Sequence, residues 1–269
     1  MIDVSLYQGI SQFGPAYEIM LDNDTHAIGS VDRVLIEKMI GLCPETVNYL
    51  YTEYTPTTTS YSKGTRPVLE GYIGMTSSGK SSDEERIEAV ARFTFNIQPE
   101  SDTSIDSMLF GGTEEDIIAR GSDWCTDVAR VGCALCQIMN IPSRMIYLAD
   151  IEKPYHGHAV IEAFRSGVWG VVDCVTNVVY RHPDGQPATT WDLMNNPHLV
   201  EAHYRGRSTY YTNNGQFRYA AISNYFIWDQ KDYDYSVSKV NEYKRTVLEM
   251  SDKGWLGGLR WLHNEDGNG

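Results

Sequence analysis

The chain has 269 residues, 42% hydrophobic and 22% charged, which suits one sizeable folded domain or two small ones and excludes global disorder. With 36 acidic and 22 basic residues its formal net charge is -14. Phosphate backbones and anionic membranes are repelled by such a surface, so nucleic acid and membrane are excluded as default partners. No run approaches the ~20 apolar residues of a membrane span. The opening MIDVSLYQGISQF lacks the basic start and apolar stretch of a secretion signal, and five cysteines in no framework spacing fit a reducing setting. The expected location is the cytoplasm.

Residues 1–70 read as an N-terminal extension. Within it, Ser30 to Leu42 has helical spacing through Val31, Val34, Leu35 and Met39, and the Thr- and Ser-rich stretch 55–66 reads as a loop. A catalytic core is expected over 71–200. Its first helix runs from about Ser82 to Phe95, with Asp83, Glu84 and Glu85 in the first turn, where acids suit the helix dipole. Residues 98–122 look irregular apart from a short helix at Glu114 to Arg120. The clearest helix spans Trp124 to Met139, with Val128, Val131, Leu135 and Ile138 on its apolar face and Asn140 and Pro142 ending it. Strand patterns follow at Arg144 to Leu148, His158 to Phe164 and Val168 to Val172. The last two are joined by Arg165, Ser166 and Gly167 as a hairpin. A further strand is expected in Val175 to Tyr180 and a short helix in Thr190 to Met194. Residues 201–269 form a C-terminal extension: an aromatic-rich segment at 204–235, a helix at about Val237 to Met250, and the tail NEDGNG.

Three residues carry the chemistry. Cys125 sits in the first turn of its helix, after Gly121, Ser122 and Asp123. A thiol there faces first-turn backbone N–H groups and the positive end of the dipole, which favour thiolate and bring its pKa below the free value of ~8.5. The same amides can donate to an oxyanion beside the sulfur. His158 opens one strand of the hairpin and Asp173 closes the other, so antiparallel pairing brings them together. A thiol, an imidazole to move its proton and a carboxylate to orient the imidazole make a triad. Singly, each has a plainer reading: a buried core cysteine, a surface histidine, a strand-end aspartate. Their joint placement is what points to catalysis. Trp124 and His156, adjacent to Cys125 and His158 in the chain, are candidate substrate contacts, with packing and a solvated loop histidine as the plainer alternatives.

This pattern resembles the transglutaminase-like superfamily of cysteine enzymes over about residues 80–200. The matching pieces are Cys125 at a helix start, the strand IPSRMIYL, and the run His158, Ala159, Glu162, Gly167, Trp169, Asp173. The resemblance implies an α+β, papain-like core, in which a helix bearing the Cys packs on an antiparallel β-sheet bearing His and Asp. It also implies acyl transfer from an amide, peptide or thioester carbonyl of a peptide, protein or small molecule, to water or to an amine, with no metal or organic cofactor. Two features depart from the family: Cys174 and Val175 follow Asp173 where Pro or a small residue with Thr is common, and no motif marks the second oxyanion donor. The rival reading keeps the fold with an idle triad, as a module that binds a peptide or glycan through the aromatic segment.

Two other motifs compete. GMTSSGKS at 74–81 matches the phosphate-loop pattern with Lys80 and Ser81, but that mechanism needs a buried strand before it, and three acids follow at once. Cys133 and Cys136 form C-x-x-C in mid-helix, where a redox pair is misplaced and no further zinc ligands are evident, so core packing is expected.

Overall fold

A computed structural model of the chain describes residues 2–9, 31–98, 112–122, 124–149, 157–203 and 219–225. These form a six-stranded antiparallel sheet with helices packed on it, an α+β architecture. The strands are β1 (Ile40–Gly41), β2 (Ser143–Ala149), β3 (Gly157–Arg165), β4 (Val168–Asp173), β5 (Val178–Val179) and β6 (Tyr219–Ser223), in the order β1-β6-β2-β3-β4-β5. The helices are α1 (Val31–Lys38), α2 (Val47–Thr52), α3 (Pro67–Thr76), α4 (Asp83–Asn96), α5 (Glu114–Arg120), α6 (Cys125–Ile138), α7 (Thr190–Asn195) and α8 (Pro197–His203).

The sheet is buried on both faces. Alternation along β3 sends Ala159, Ile161 and Ala163 into one core with Val90 of α4, Ile117 of α5 and the body of α6, while Val160 joins a second core with Leu50 of α2, Leu193 of α7 and Leu199 of α8. Small residues let α6 approach the strands closely. A Cβ on Gly132 would lie 2.4 Å from the Cys174 sulfur. The β3–β4 hairpin closes through Ser166 and Gly167, both at positive φ (53° and 82°), as a type I′ turn requires.

Polar side chains on β2 and β3 are satisfied inside the second core. Arg144 and Glu162 are both fully buried and bonded at 2.7 Å, with the guanidinium carbon 4.2 Å above the Trp169 ring centre and 4.8 Å above that of Tyr51. Tyr51 Oη and the Thr190 N–H each donate to the other Glu162 oxygen at 2.7 Å, tying α2 and α7 to the sheet.

Several elements differ from expectation. The first helix stops at Lys38, and Ile40 and Gly41 instead pair with Ile222 and Ala221. A run such as MIGL suits helix or strand equally, and a partner some 180 residues away decides between them. The strand expected over Val175 to Tyr180 contracts to Val178–Val179 because residues 174–177 turn, with Asn177 at φ 56°. Strand β6, inside the aromatic-rich segment, and helix α8 were not foreseen. Strands β1 and β6 lie outside 71–200 in sequence yet share the sheet with β2 to β5. The helix expected at Val237 to Met250 lies outside the described residues. Among the described residues, no helix is long and apolar enough to cross a membrane.

Candidate active site

The site is assembled where the start of α6 meets the ends of β3 and β4. Helices α4, α5 and α7 each begin with a full capping box, from Ser82/Glu85, Thr113/Asp116 and Thr189/Asp192. Helix α6 does not: its N-cap is Trp124, which makes no side-chain cap hydrogen bond. Cys125 is therefore the first residue of a 14-residue helix whose opening turn is not covered by its own capping side chain.

The approach to Cys125 is held from below. Gly121, at φ 79°, ends α5 with its Cα so close to α4 that a Cβ would lie 2.7 Å from the Ile97 carbonyl oxygen. The Trp124 N–H donates to Ser122 Oγ at 3.1 Å. Buried Asp127, in the first turn of α6, takes Arg120 at 3.2 Å and lies 3.6 Å from Arg130. Arg130 in turn pairs at 2.9 Å with Glu114, which is completely buried and also bonds Arg66 at 2.8 Å and the Tyr225 hydroxyl. Burial would raise the Glu114 carboxyl, but Arg130 and Arg66 outweigh it and hold it below its ordinary value.

His158 and Asp173 meet as the hairpin geometry predicts. His158 Nε2 lies 3.2 Å from Asp173 Oδ2, with the His158 side chain 11% exposed and Asp173 at 0%. The other carboxylate oxygen, Oδ1, accepts the N–H of Val175 at 2.9 Å and of Thr176 at 3.1 Å. The turn is clamped by α4 and the residues just after it: Thr94 Oγ1 donates to the Cys174 carbonyl at 3.2 Å and Gln98 Nε2 to the Val175 carbonyl at 2.8 Å. The Cys125 side chain hydrogen-bonds to His158 as well. Burial alone would push the imidazole down. The charge and hydrogen bond of Asp173, with the hydrogen bond and charge of Cys125, outweigh burial and raise His158 to about 10.

Protein-family models, curated proteins and solved structures have been compared with the chain, and none matches.

The structure thus brings Cys125, His158 and Asp173 together. Trp124 stands beside them as the N-cap of α6, and His156 lies outside the described residues, as do Tyr210, Tyr211, Phe217, Phe226 and Trp228 of the aromatic segment. The supporting residues Thr94, Gln98, Ser122 and Asp127 escaped sequence reasoning. Thr94 and Gln98 act on carbonyls 80 and 77 positions away, and no local pattern encodes such a contact.

The competing motifs have other roles. GMTSSGKS follows no strand: Gly74 to Thr76 are the last turn of α3, and the Ser81 N–H and hydroxyl bond Glu85 at 2.8 and 3.0 Å, the positions a phosphate would need. Cys133, Cys136 and Cys174 are fully buried, and burial pushes their thiols up, Cys133 to about 12. Among the described residues, no group of three His, Cys, Asp or Glu is placed to hold a metal ion.

Proposed function

We propose that the chain is a cysteine-dependent acyl-transfer enzyme with a transglutaminase-like, papain-like core, working through Cys125, His158 and Asp173. One observation carries the reading: a single imidazole bonds a buried carboxylate on one side and the thiol at the head of a helix on the other. An idle domain has no need to hold all three in contact, which disfavours the reading as a pure binding module.

In the proposed mechanism the imidazolium of His158 and the thiolate of Cys125 form a charge pair, each favouring the other's ionised state. His158 Nε2 is committed to Asp173, so Nδ1 exchanges the proton with sulfur. The thiolate attacks the carbonyl carbon of an amide, peptide or thioester. The oxyanion is met by the Cys125 backbone N–H at the α6 terminus. His158 passes its proton to the leaving amine or thiol, which departs as the acyl-thioester forms on Cys125. Water or an amine then attacks the thioester, giving up its proton to His158 as the thiolate leaves. Asp173 orients the ring and stabilises its cation throughout.

Iodoacetamide labelling with mass analysis tests the reading. Cys125 should react first, the half-buried Cys43 more slowly, and Cys133, Cys136 and Cys174 hardly at all in the folded protein. His158→Ala should slow Cys125 and leave Cys43 unaffected. Labelling of Cys125 and Cys43 at equal rates, unchanged by His158→Ala, would sink the proposal. Trapping an acyl-enzyme from a cell extract and weighing the adduct on Cys125 would then name the acyl donor.

A further inference from the structure

The turn that delivers Cys125 departs from the way this chain begins three of its other helices. In α4, α5 and α7 the acid at the third helical position takes the N–H of the capping residue directly: Ser82 to Glu85 at 3.1 Å, Thr113 to Asp116 at 3.0 Å and Thr189 to Asp192 at 2.9 Å. Helix α6 also has an acid at its third position, Asp127. Here a third side chain stands between the acid and the capping residue. The Trp124 N–H donates to Ser122 Oγ at 3.1 Å, and Ser122 Oγ donates to Asp127 Oδ2 at 3.4 Å. Ser122 is thus inserted into one arm of a capping box. The other arm is missing, because indole has no acceptor to return to the helix.

Ser122 and Asp127 are buried, so water competes little for these bonds. The Asp127 charge stays with Arg120 at 3.2 Å and Arg130 at 3.6 Å, and the Trp124 N–H is met by a neutral oxygen. Residues 121–124, which link α5 to α6, are held at both ends. The Gly121 N–H bonds the Ile117 carbonyl at 2.8 Å, and Trp124 is tied through Ser122 to the first turn of α6. The next peptide unit carries the amide of Cys125. Fixing Trp124 therefore fixes where α6 begins and the direction in which the Cys125 side chain leaves it. His158 stands on β3, a separate element, so the approach of sulfur to imidazole depends on that start. A misplacement of about 1 Å is enough to spoil such an alignment.

We propose that Ser122 is a positioning residue for the nucleophile: by tying the Trp124 N–H to Asp127 it holds the Cys125 thiol against the His158 imidazole. The role rests on the triad reading above. Ser122 acts on sulfur through the backbone of Trp124, and its own hydroxyl proton is committed to Asp127.

The test is a double-mutant cycle on Cys125 alkylation by iodoacetamide, followed by mass over about pH 5–9, with a urea midpoint for each protein. Ser122→Ala removes one oxygen and adds nothing, so the fold should survive. It should slow Cys125 about three- to tenfold near neutral pH and move the midpoint of its pH profile up by about 0.5–1, because a thiol that drifts from the imidazolium reverts towards ~8.5. Cys43 is the internal reference and should keep its rate. In the His158→Ala background the same substitution should change the Cys125 rate by less than about twofold, since the partner it aligns is gone. Ser122→Ala that lowers the urea midpoint but leaves the pH profile in place would overturn the proposal, as would an equal loss of rate with and without His158. Cys125 alkylation unaffected by His158→Ala alone would instead strike the triad reading, and this role with it.

Discussion

Replacing Asp173 by Asn isolates the carboxylate charge from the scaffold around it. The Asn carbonyl can keep the place of Oδ1, accepting the Val175 and Thr176 N–H groups, so the turn should survive. What is lost is the negative oxygen 3.2 Å from His158 Nε2, and the Asn amide would face that nitrogen as a donor. His158 is raised from 6.5 to about 10, a preference for the imidazolium worth roughly 5 kcal/mol. Asp173 is the largest contributor to that rise, and without it the burial of the ring carries His158 back towards or below 6.5. At about pH 7.5 the imidazolium then falls from nearly complete to under ~10%, and a thiol released from its cationic partner reverts towards a pKa of ~8.5, about 10% ionised. The rate of Cys125 alkylation by iodoacetamide, followed by mass, should therefore fall roughly tenfold at that pH. The deficit should close as the pH rises past the free thiol range. Asp173→Ala, which also removes the turn acceptor, should lose the same reactivity and in addition lower the urea midpoint. An Asp173→Asn protein with native circular dichroism and an unchanged alkylation rate at neutral pH would refute the reasoning, because His158 would then owe its charge to something other than this carboxylate.

Other consequences follow from the same structure. Because the folded His158 pKa is raised to about 10, its contribution to stability is fully present below ~6.5 and is lost as pH rises through about 10. The difference in urea midpoint between wild type and His158→Ala should therefore shift against the wild type across that window, and a difference independent of pH would contradict the assignment. Gly132→Ala drives a methyl onto the Cys174 sulfur beneath α6 and should cost about 1–3 kcal/mol. Gly71→Ala on exposed α3 meets nothing within 4 Å and should be neutral or stabilise by up to roughly 1 kcal/mol, so chemical denaturation of the pair separates close packing from helix propensity. Glu162→Gln leaves Arg144 buried with its charge uncompensated and should cost about 3–5 kcal/mol, read from the same denaturation curves.

Local grammar made much of the chain legible. Asp83, Glu84 and Glu85 in the first turn announce the start of α4, and Arg165, Ser166 and Gly167 announce a hairpin. That hairpin and the position of Cys125 in its helix were enough to nominate Cys125, His158 and Asp173. Each of these signals is contained within about one helix or one hairpin, where 3.6-residue and two-residue periodicities and turn stereochemistry act without help from the rest of the chain. What lay between distant segments was not legible. Helix α6 reads as amphipathic, yet every residue from Thr126 to Ile138 is buried, because α5, the sheet and the Tyr225 end of β6 supply ion pairs and hydrogen bonds for Asp127, Arg130 and Gln137. The run at Ile40 became a strand because β6 offered it an edge. The clamp of Thr94 and Gln98 on the turn after Asp173 likewise exists only once α4 and the residues that follow it meet that turn. Sequence by itself determined which residues could do thiol chemistry and on which local elements they stand. Tertiary structure decided that they meet, and how strongly His158 is charged, because both depend on burial and on partners that the chain brings together only by folding.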